Sequence, residues 1–210
     1  MEADPKLLCA PEAKAALEAA NGLAQVEYIS DLIQRGVKEL RESQLLEFHE
    51  LAVQGIFPCA GHYRDVAVVI TNSEHLPPKA WQVKGLSLDA LEWVNANRGK
   101  RSALEIAAYT LWRFNWIHPF AGGNGRTSRA LAYLVICMED GVMLPGSPTM
   151  PTWIYRRRHD YVVALRAADA AAREGREDFS EMVAFLREML MLQLAAAVDR
   201  LSGGTDSHST

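Results

Sequence analysis

Apolar positions along this 210-residue chain recur mostly at helical spacing. Two amphipathic stretches, from about Leu23 to Arg35 and from about Ser43 to Gln54, predict helices, the second closed by Gly55 at a C-cap position. Between Ile56 and Pro78 the pattern changes. Prolines, glycines and the β-branched run Val66, Val68, Val69, Ile70, followed by Thr71-Asn72-Ser73, predict a strand and turn, a short β-hairpin. Pro77-Pro78 suits the entry to a helix running to Asn97, with an interruption at Gly85. Ser102 and Glu105 stand three apart, as a capping box requires, and Leu104, Ala107, Ala108, Leu111 and Phe114 follow at helical spacing. Proline disfavours the α conformation in the residue before it, so His118-Pro119 should end that helix near Ile117. Leu131, Leu134, Val135 and Met138 then mark a second core helix, from about Asn124 to Asp140. Helices over Thr152–Ala172 and Asp178–Leu201, the latter opened by an Asp178/Glu181 capping pair, complete the set, and the last nine residues read as a disordered tail.

Composition narrows the classes. A hydrophobic share of 49% and a charged share of 23% belong to a globular domain with a real core, and the length fits one domain over 1–201. Net charge is only −4 and the basic residues are scattered apart from Arg156, Arg157 and Arg158, so nucleic acid is not an expected partner. That run, with Lys79 or Lys84, would otherwise form a solvated face or meet an acidic target. Cys9, Cys59 and Cys137 lack the spacing of a zinc site or a disulfide framework. No apolar run reaches the roughly 18 residues of a membrane span. These features predict a cytoplasmic protein, with export by another route left open.

Candidate chemistry concentrates at His118-Pro-Phe-Ala-Gly-Gly-Asn-Gly-Arg-Thr-Ser-Arg129. Glycines let consecutive backbone N–H groups face one point, and a helix N-terminus adds uncommitted N–H groups and the positive dipole end. Gly122, Gly123, Asn124 and Gly125 would therefore form an anion nest. Arg126 and Arg129 lie three apart on the first turn, near one face, where their guanidinium groups would grip neighbouring phosphates. His118, just upstream, would accept the proton of a hydroxyl presented beside bound phosphates. Such a site performs phosphoryl transfer by positioning and charge neutralisation.

The order of these residues resembles the signature of the Fic (Fido) family, His-x-Phe-x-[Asp/Glu]-Gly-Asn-Gly-x-x-x-Arg, with arginine usual after the second glycine. The segment from Gly55 through Pro78 looks like the approach to the family's flap hairpin, and the succession of helices extends the resemblance over about residues 15–200. The resemblance implies an all-α bundle with a small β-hairpin flap over about 56–76, between N-terminal helices (about 15–54) and core helices (about 78–201). It implies a protein adenylyltransferase that moves AMP from ATP to a Ser, Thr or Tyr hydroxyl of a target aligned by the flap. UMP, GMP, phosphocholine or phosphate transfer also occurs within the family. His118 would be the base and Phe120 the buried loop anchor. Gly123, Asn124 and Gly125 would shape the anion hole, with Asn124 touching the α-phosphate, and Arg126 and Arg129 would hold the outer phosphates.

One signature position differs. Where the family carries the Asp or Glu that binds Mg²⁺, this chain has Gly122. Three accounts stand open: metal held by phosphates and water alone with slower transfer, a carboxylate from elsewhere such as Asp65, or loss of transfer in a protein that still binds nucleotide. The family's inhibitory pattern, [Ser/Thr]-x-x-x-Glu-[Gly/Asn], whose glutamate pairs with the last signature arginine, here Arg129, is met only in part. Ser43–Glu47 is followed by Phe48, and Ala170 stands where Glu174-Gly175 would need a hydroxyl residue. Restraint would then come from a degenerate motif or a separate antitoxin-like partner. His62, Tyr63 and His75 are further candidates near the pocket, while Trp112, Phe114 and Trp116 read as core.

Overall fold

The computed structural model describes residues 6–70, 73 and 75–203, and its described residues are all-helical. They fall into two compact units, one ending at Gly141 and one beginning at Val142. The first holds α1 (Pro11–Gln34), α2 (Glu42–Val53), α3 (Ala80–Asn97), α4 (Ala103–Ile117) and α5 (Asn124–Asp140). The second holds α6 (Met150–Arg156), α7 (Arg158–Arg173) and α8 (Ser180–Gly203).

In the first unit α5 lies at the centre, packed most closely against α4 and also against α2 and α1, while α3 covers α4. Sequence explains this placement. From Ala130 to Met138 every residue of α5 is buried, and α4 buries Ile106 through Trp112 without a break, so both helices need neighbours on nearly every side. The start of α4 is fixed by the reciprocal cap: Ser102 Oγ accepts from the Glu105 N–H at 3.3 Å, and Glu105 Oε2 accepts from the Ser102 N–H at 2.9 Å. Deeper ties are polar. Asn115 Nδ2 on α4 donates to Ser128 Oγ on α5 at 2.7 Å, and Asn95 exchanges two hydrogen bonds with the backbone of Leu40.

In the second unit the buried amide of Gln193 on α8 organises the turn into α6. It accepts from the Met150 N–H at 2.6 Å and donates to the carbonyls of Leu144 and Pro145 at 3.1 Å. The basic run lies here. Arg157 pairs with Asp160 and Glu188, and Arg156 lies over the Trp153 ring at 5.0 Å, so these two arginines serve contacts within their own unit.

Four expectations need correction. The expected helix over Thr152–Ala172 is two helices, because Arg157 leaves the α conformation. Gly85 does not interrupt α3, since a glycine inside a helix costs only about 1 kcal/mol and Val83, Ser87, Ala90 and Leu91 bury a continuous stripe around it. Asp178 caps α8 through the Ser180 N–H at 3.0 Å, and α8 runs to Gly203, two residues past its expected end at Leu201; the rest of the expected tail, 204–210, lies outside the described residues.

The expected hairpin is not seen among the described residues. The described residues between Ile56 and Pro78 contain no strand; Thr71 and Asn72 of the expected turn lie outside the described residues. β-Branched residues favour a strand only when a neighbouring strand receives their hydrogen bonds and a core receives one face. Here Val66 and Val69 are 54% and 63% exposed and Val68 and Ile70 are only half-buried, and no described strand lies beside the run to set a register. No helix among the described residues is long and apolar enough to cross a membrane.

Candidate functional site

The six residues between α4 and α5 carry the site. α4 ends when His118 enters the left-handed region (φ 50°, ψ 60°), the one non-glycine residue with positive φ among those described. Histidine is among the few side chains that tolerate this conformation, and strain of this kind persists only where surroundings enforce it. The enforcement is visible. Arg64 donates from its backbone N–H to the Pro119 carbonyl at 2.9 Å and from Nε to the His118 carbonyl at 2.7 Å.

The His118 ring is fixed as well. Its Nδ1 lies 3.2 Å from the Asn115 carbonyl, which only accepts, so the neutral ring carries its proton on Nδ1 and leaves a lone pair on Nε2. Burial, helped by the positive charge of Arg64 and by His75, lowers its pKa to about 4 against the opposing pull of the Asn115 carbonyl. At neutral pH the imidazole is an uncharged base.

Phe120 is sealed, 1% exposed, against two rings nearly parallel to its own, His49 at 3.7 Å and Tyr63 at 5.7 Å. Asn124, the first residue of α5, closes the loop onto itself. Its Oδ1 accepts from the Phe120 N–H at 2.9 Å and its Nδ2 donates to the Phe120 carbonyl at 2.8 Å. Both ends of the amide are thereby used in shaping the loop, so this structure places the side chain on Phe120 backbone.

Gly123 turns the chain into α5 at φ 78°. A Cβ there would stand 2.3 Å from Val53 Cγ1, so both conformation and space demand glycine. No side chain caps α5, which leaves its first N–H groups facing the loop. Arg129 reaches back beside Gly125, where a Cβ would lie 3.1 Å from its Nη1. Arg126 is mostly buried, and its Nη1 has no hydrogen-bond acceptor in good geometry, although Glu18 Oε1 of α1 stands 3.4 Å away. Burial lowers the Arg126 pKa and Glu18 raises it. An incompletely satisfied guanidinium beside an uncapped helix start suits an anion.

The fold thus brings together His118, Phe120, Gly123, Asn124, Gly125, Arg126 and Arg129. It adds three residues that the sequence did not single out. His49 is fully buried: Nδ1 accepts from the Gly61 N–H at 3.1 Å, which leaves Nε2 to donate to the Gly122 carbonyl at 3.0 Å. Burial first, then Arg126 and His62, lowers its pKa to about 4 despite the Gly122 carbonyl. On the sequence it is one more core-facing residue of an amphipathic helix. Arg64 and Glu18 gave no signal either, because burial and pairing across the fold are not local properties.

Other candidates lie further out. His62 donates from Nδ1 to the carbonyl of its own turn, Ala60, at 2.6 Å and is exposed. His75 meets the Trp116 carbonyl at 2.8 Å and tilts over the Trp116 ring, pinning the segment before α3 to the end of α4. Glu174 is engaged by Arg176, and Glu18 stands beside Arg126.

The donor set does not fit a protein-held Mg²⁺. Gly122 offers no side chain, its carbonyl is taken by His49, and Asp65 is exposed. Among the described residues no group of three or more His, Cys, Asp or Glu surrounds a common point.

The chain is similar to known proteins. A family model described as Fic/DOC family matches residues 39–136, a stretch that contains the whole loop together with His49 and Arg64 but excludes Glu18. The chain is 26% identical over 147 residues to a protein adenylyltransferase Fic of Nematostella vectensis, covering 69% of this chain and 32% of that protein. It is 32% identical over 127 residues to a Fido domain-containing protein of Dictyostelium discoideum, covering 60% of this chain and 82% of the relative. Among solved structures, a Fic family protein from Desulfovibrio desulfuricans G20 superposes with a TM-score of 0.66 at 28% identity, over 98% of this chain and 57% of that one. The chain spans about a third of the length of the Nematostella adenylyltransferase.

Proposed function

Because the chain belongs to the Fic/DOC family, we propose that it transfers AMP from ATP to a serine, threonine or tyrosine hydroxyl of another protein. One juxtaposition carries this reading: a neutral His118 whose Nδ1 is committed to the Asn115 carbonyl shares a loop with an uncapped helix start and a mostly buried Arg126 whose Nη1 lacks a hydrogen-bond partner.

The chemistry follows from those groups. The target hydroxyl gives its proton to His118 Nε2 as its oxygen attacks the α-phosphorus; the bond to the β-phosphate oxygen breaks and pyrophosphate leaves. Backbone N–H groups at Gly123, Asn124 and Gly125 accept the charge that develops, and Arg126 and Arg129 hold the outer phosphates. Asn124 and Phe120 keep the loop in shape while this happens. The target backbone docks along the 65–78 segment, and a separate antitoxin-like partner remains an expected regulator.

Glu18 competes with the phosphates for Arg126. Glu18→Gln is therefore expected to tighten ATP binding by up to about fivefold, the ceiling for a partly exposed pair worth no more than about 1 kcal/mol. Titration calorimetry with ATP checks this; unchanged affinity would mean that Glu18 leaves Arg126 as soon as nucleotide arrives.

Gly122 favours a second reading, a nucleotide-binding module with little or no transfer. The loop tolerates both, because His49 grips the Gly122 carbonyl, which every residue possesses, and Gly122 is absent from the positive-φ glycines. Incubation with α-phosphate-labelled ATP, Mg²⁺ and cell lysate separates them. Slow labelling by the wild type, accelerated roughly tenfold or more in Gly122→Asp, is the expected result, since metal neutralisation of phosphate charge is worth several kcal/mol. ATP binding without labelled protein in either case would establish the module instead.

A further inference from the structure

We infer that Arg64 is a positioning residue that locks the His118 backbone and both stems of the 65–78 segment into one unit. The inference rests on the transferase reading for its catalytic consequence, although the geometry stands without it.

Arg64 is only 4% exposed. A guanidinium withdrawn from water keeps its charge, so its N–H groups need acceptors or the fold loses several kcal/mol. Here carbonyl oxygens supply them. Nη1 donates to Val66 at 2.9 Å, Nη2 to Pro78 at 2.5 Å and more distantly to Ile117 at 3.4 Å, and Nε to His118 at 2.7 Å. Two acceptors, Ile117 and His118, are at the end of α4, where carbonyls lack helical partners and the dipole is negative. The other two, Val66 and Pro78, are the first and last parts of the segment on which the target would lie.

One planar fork therefore sets the distance between the base and the substrate platform. It also supports the left-handed turn that aims the imidazole, through the same His118 carbonyl. Lysine replaces it only in part, because a single ammonium cannot reproduce a fork that meets four carbonyls. Arg64 touches neither reacting atom; its effect passes through His118.

Arg64→Lys and Arg64→Gln test this, with the unaltered protein as reference. In nitrogen-15 spectra the wild-type His118 ring is expected to show one fixed tautomer, proton on Nδ1; both variants are expected to show averaged nitrogen signals. Single-turnover labelling with α-phosphate-labelled ATP should fall about 10- to 100-fold, the cost of small misplacements at a reacting centre. ATP affinity should stay within about twofold, because the fork does not reach the phosphate cradle, and lysine should recover part of the loss. A fixed tautomer and normal labelling in a folded Arg64→Lys protein would overturn the proposal. If the variants fail to fold, native-state amide exchange of the wild type decides: Val66, Val68 and His118 amides should open with one free energy, and independent opening would refute the shared lock. Absence of labelling by the wild type would count against the transferase reading alone, since the tautomer and exchange readouts need no turnover.

Discussion

Replacing His118 with asparagine is expected to slow transfer by about 10²- to 10⁴-fold while leaving ATP binding and the fold in place, the range that a positioned general base contributes. Asparagine is the informative choice. It adopts the left-handed conformation that His118 holds at φ 50°, whereas alanine would add backbone strain to the chemical loss. Its amide cannot accept a proton at neutral pH. The pH dependence gives a second check on the same group. Activity requires the neutral ring, and burial holds the pKa at about 4, so kcat/KM should stay level from neutral pH down to about 5 and fall as pH passes through about 4. A descending limb near the ordinary histidine value of about 6.5 would show that water reaches the ring in the working protein. Labelling undiminished in His118→Asn would remove it from the role of base altogether.

What the sequence made legible was local. The cap at Ser102, the stop at His118-Pro119 and the restart at Asn124 depend on neighbours within a few residues, and their order puts base, glycines and arginines in one short window. What it concealed was distant. His49 reaches Gly122 across 73 positions and Arg64 reaches His118 across 54, and neither separation leaves a periodic trace. The expected hairpin is not seen among the described residues, for the complementary reason. Val66 to Ile70 have strand propensity, yet the segment is held by Arg64 and His75 at its two ends, with no described strand beside it to form a ladder. Local preference decides structure when nothing stronger acts, and here a buried arginine does.

The same division separates the loop's shape from its metal chemistry. Shape depends on backbone groups and on Gly123, Phe120, Asn124 and His49, all of which bear no relation to the side chain at position 122. An acidic residue can therefore be lost without disturbing the phosphate cradle, which is why a preserved cradle is compatible with either transfer or binding and why the Gly122→Asp experiment discriminates between them.

Truncation of Phe120 to alanine is expected to cost about 3–5 kcal/mol of stability, the range for deleting a fully buried aromatic ring. Its position argues for the upper part of that range. The ring stacks against both His49 and Tyr63, and hydrogen bonds to Gly61 and Gly122 hold the His49 ring in place. Those walls cannot close readily on the space left behind. Phe120→Leu, which keeps much of the volume, should recover more than half of the loss, as size-conserving core changes usually cost less than about 1.5 kcal/mol. Urea unfolding followed by far-ultraviolet circular dichroism measures both. A loss below about 1 kcal/mol in the alanine variant would mean that the walls collapse after all. Because the Asn124 strap binds only the backbone of Phe120, the alanine protein retains the turn but loses its seat against α2. Its nucleotide affinity should then fall together with its stability, whereas an unchanged affinity would show that the strap alone is enough to hold the cradle.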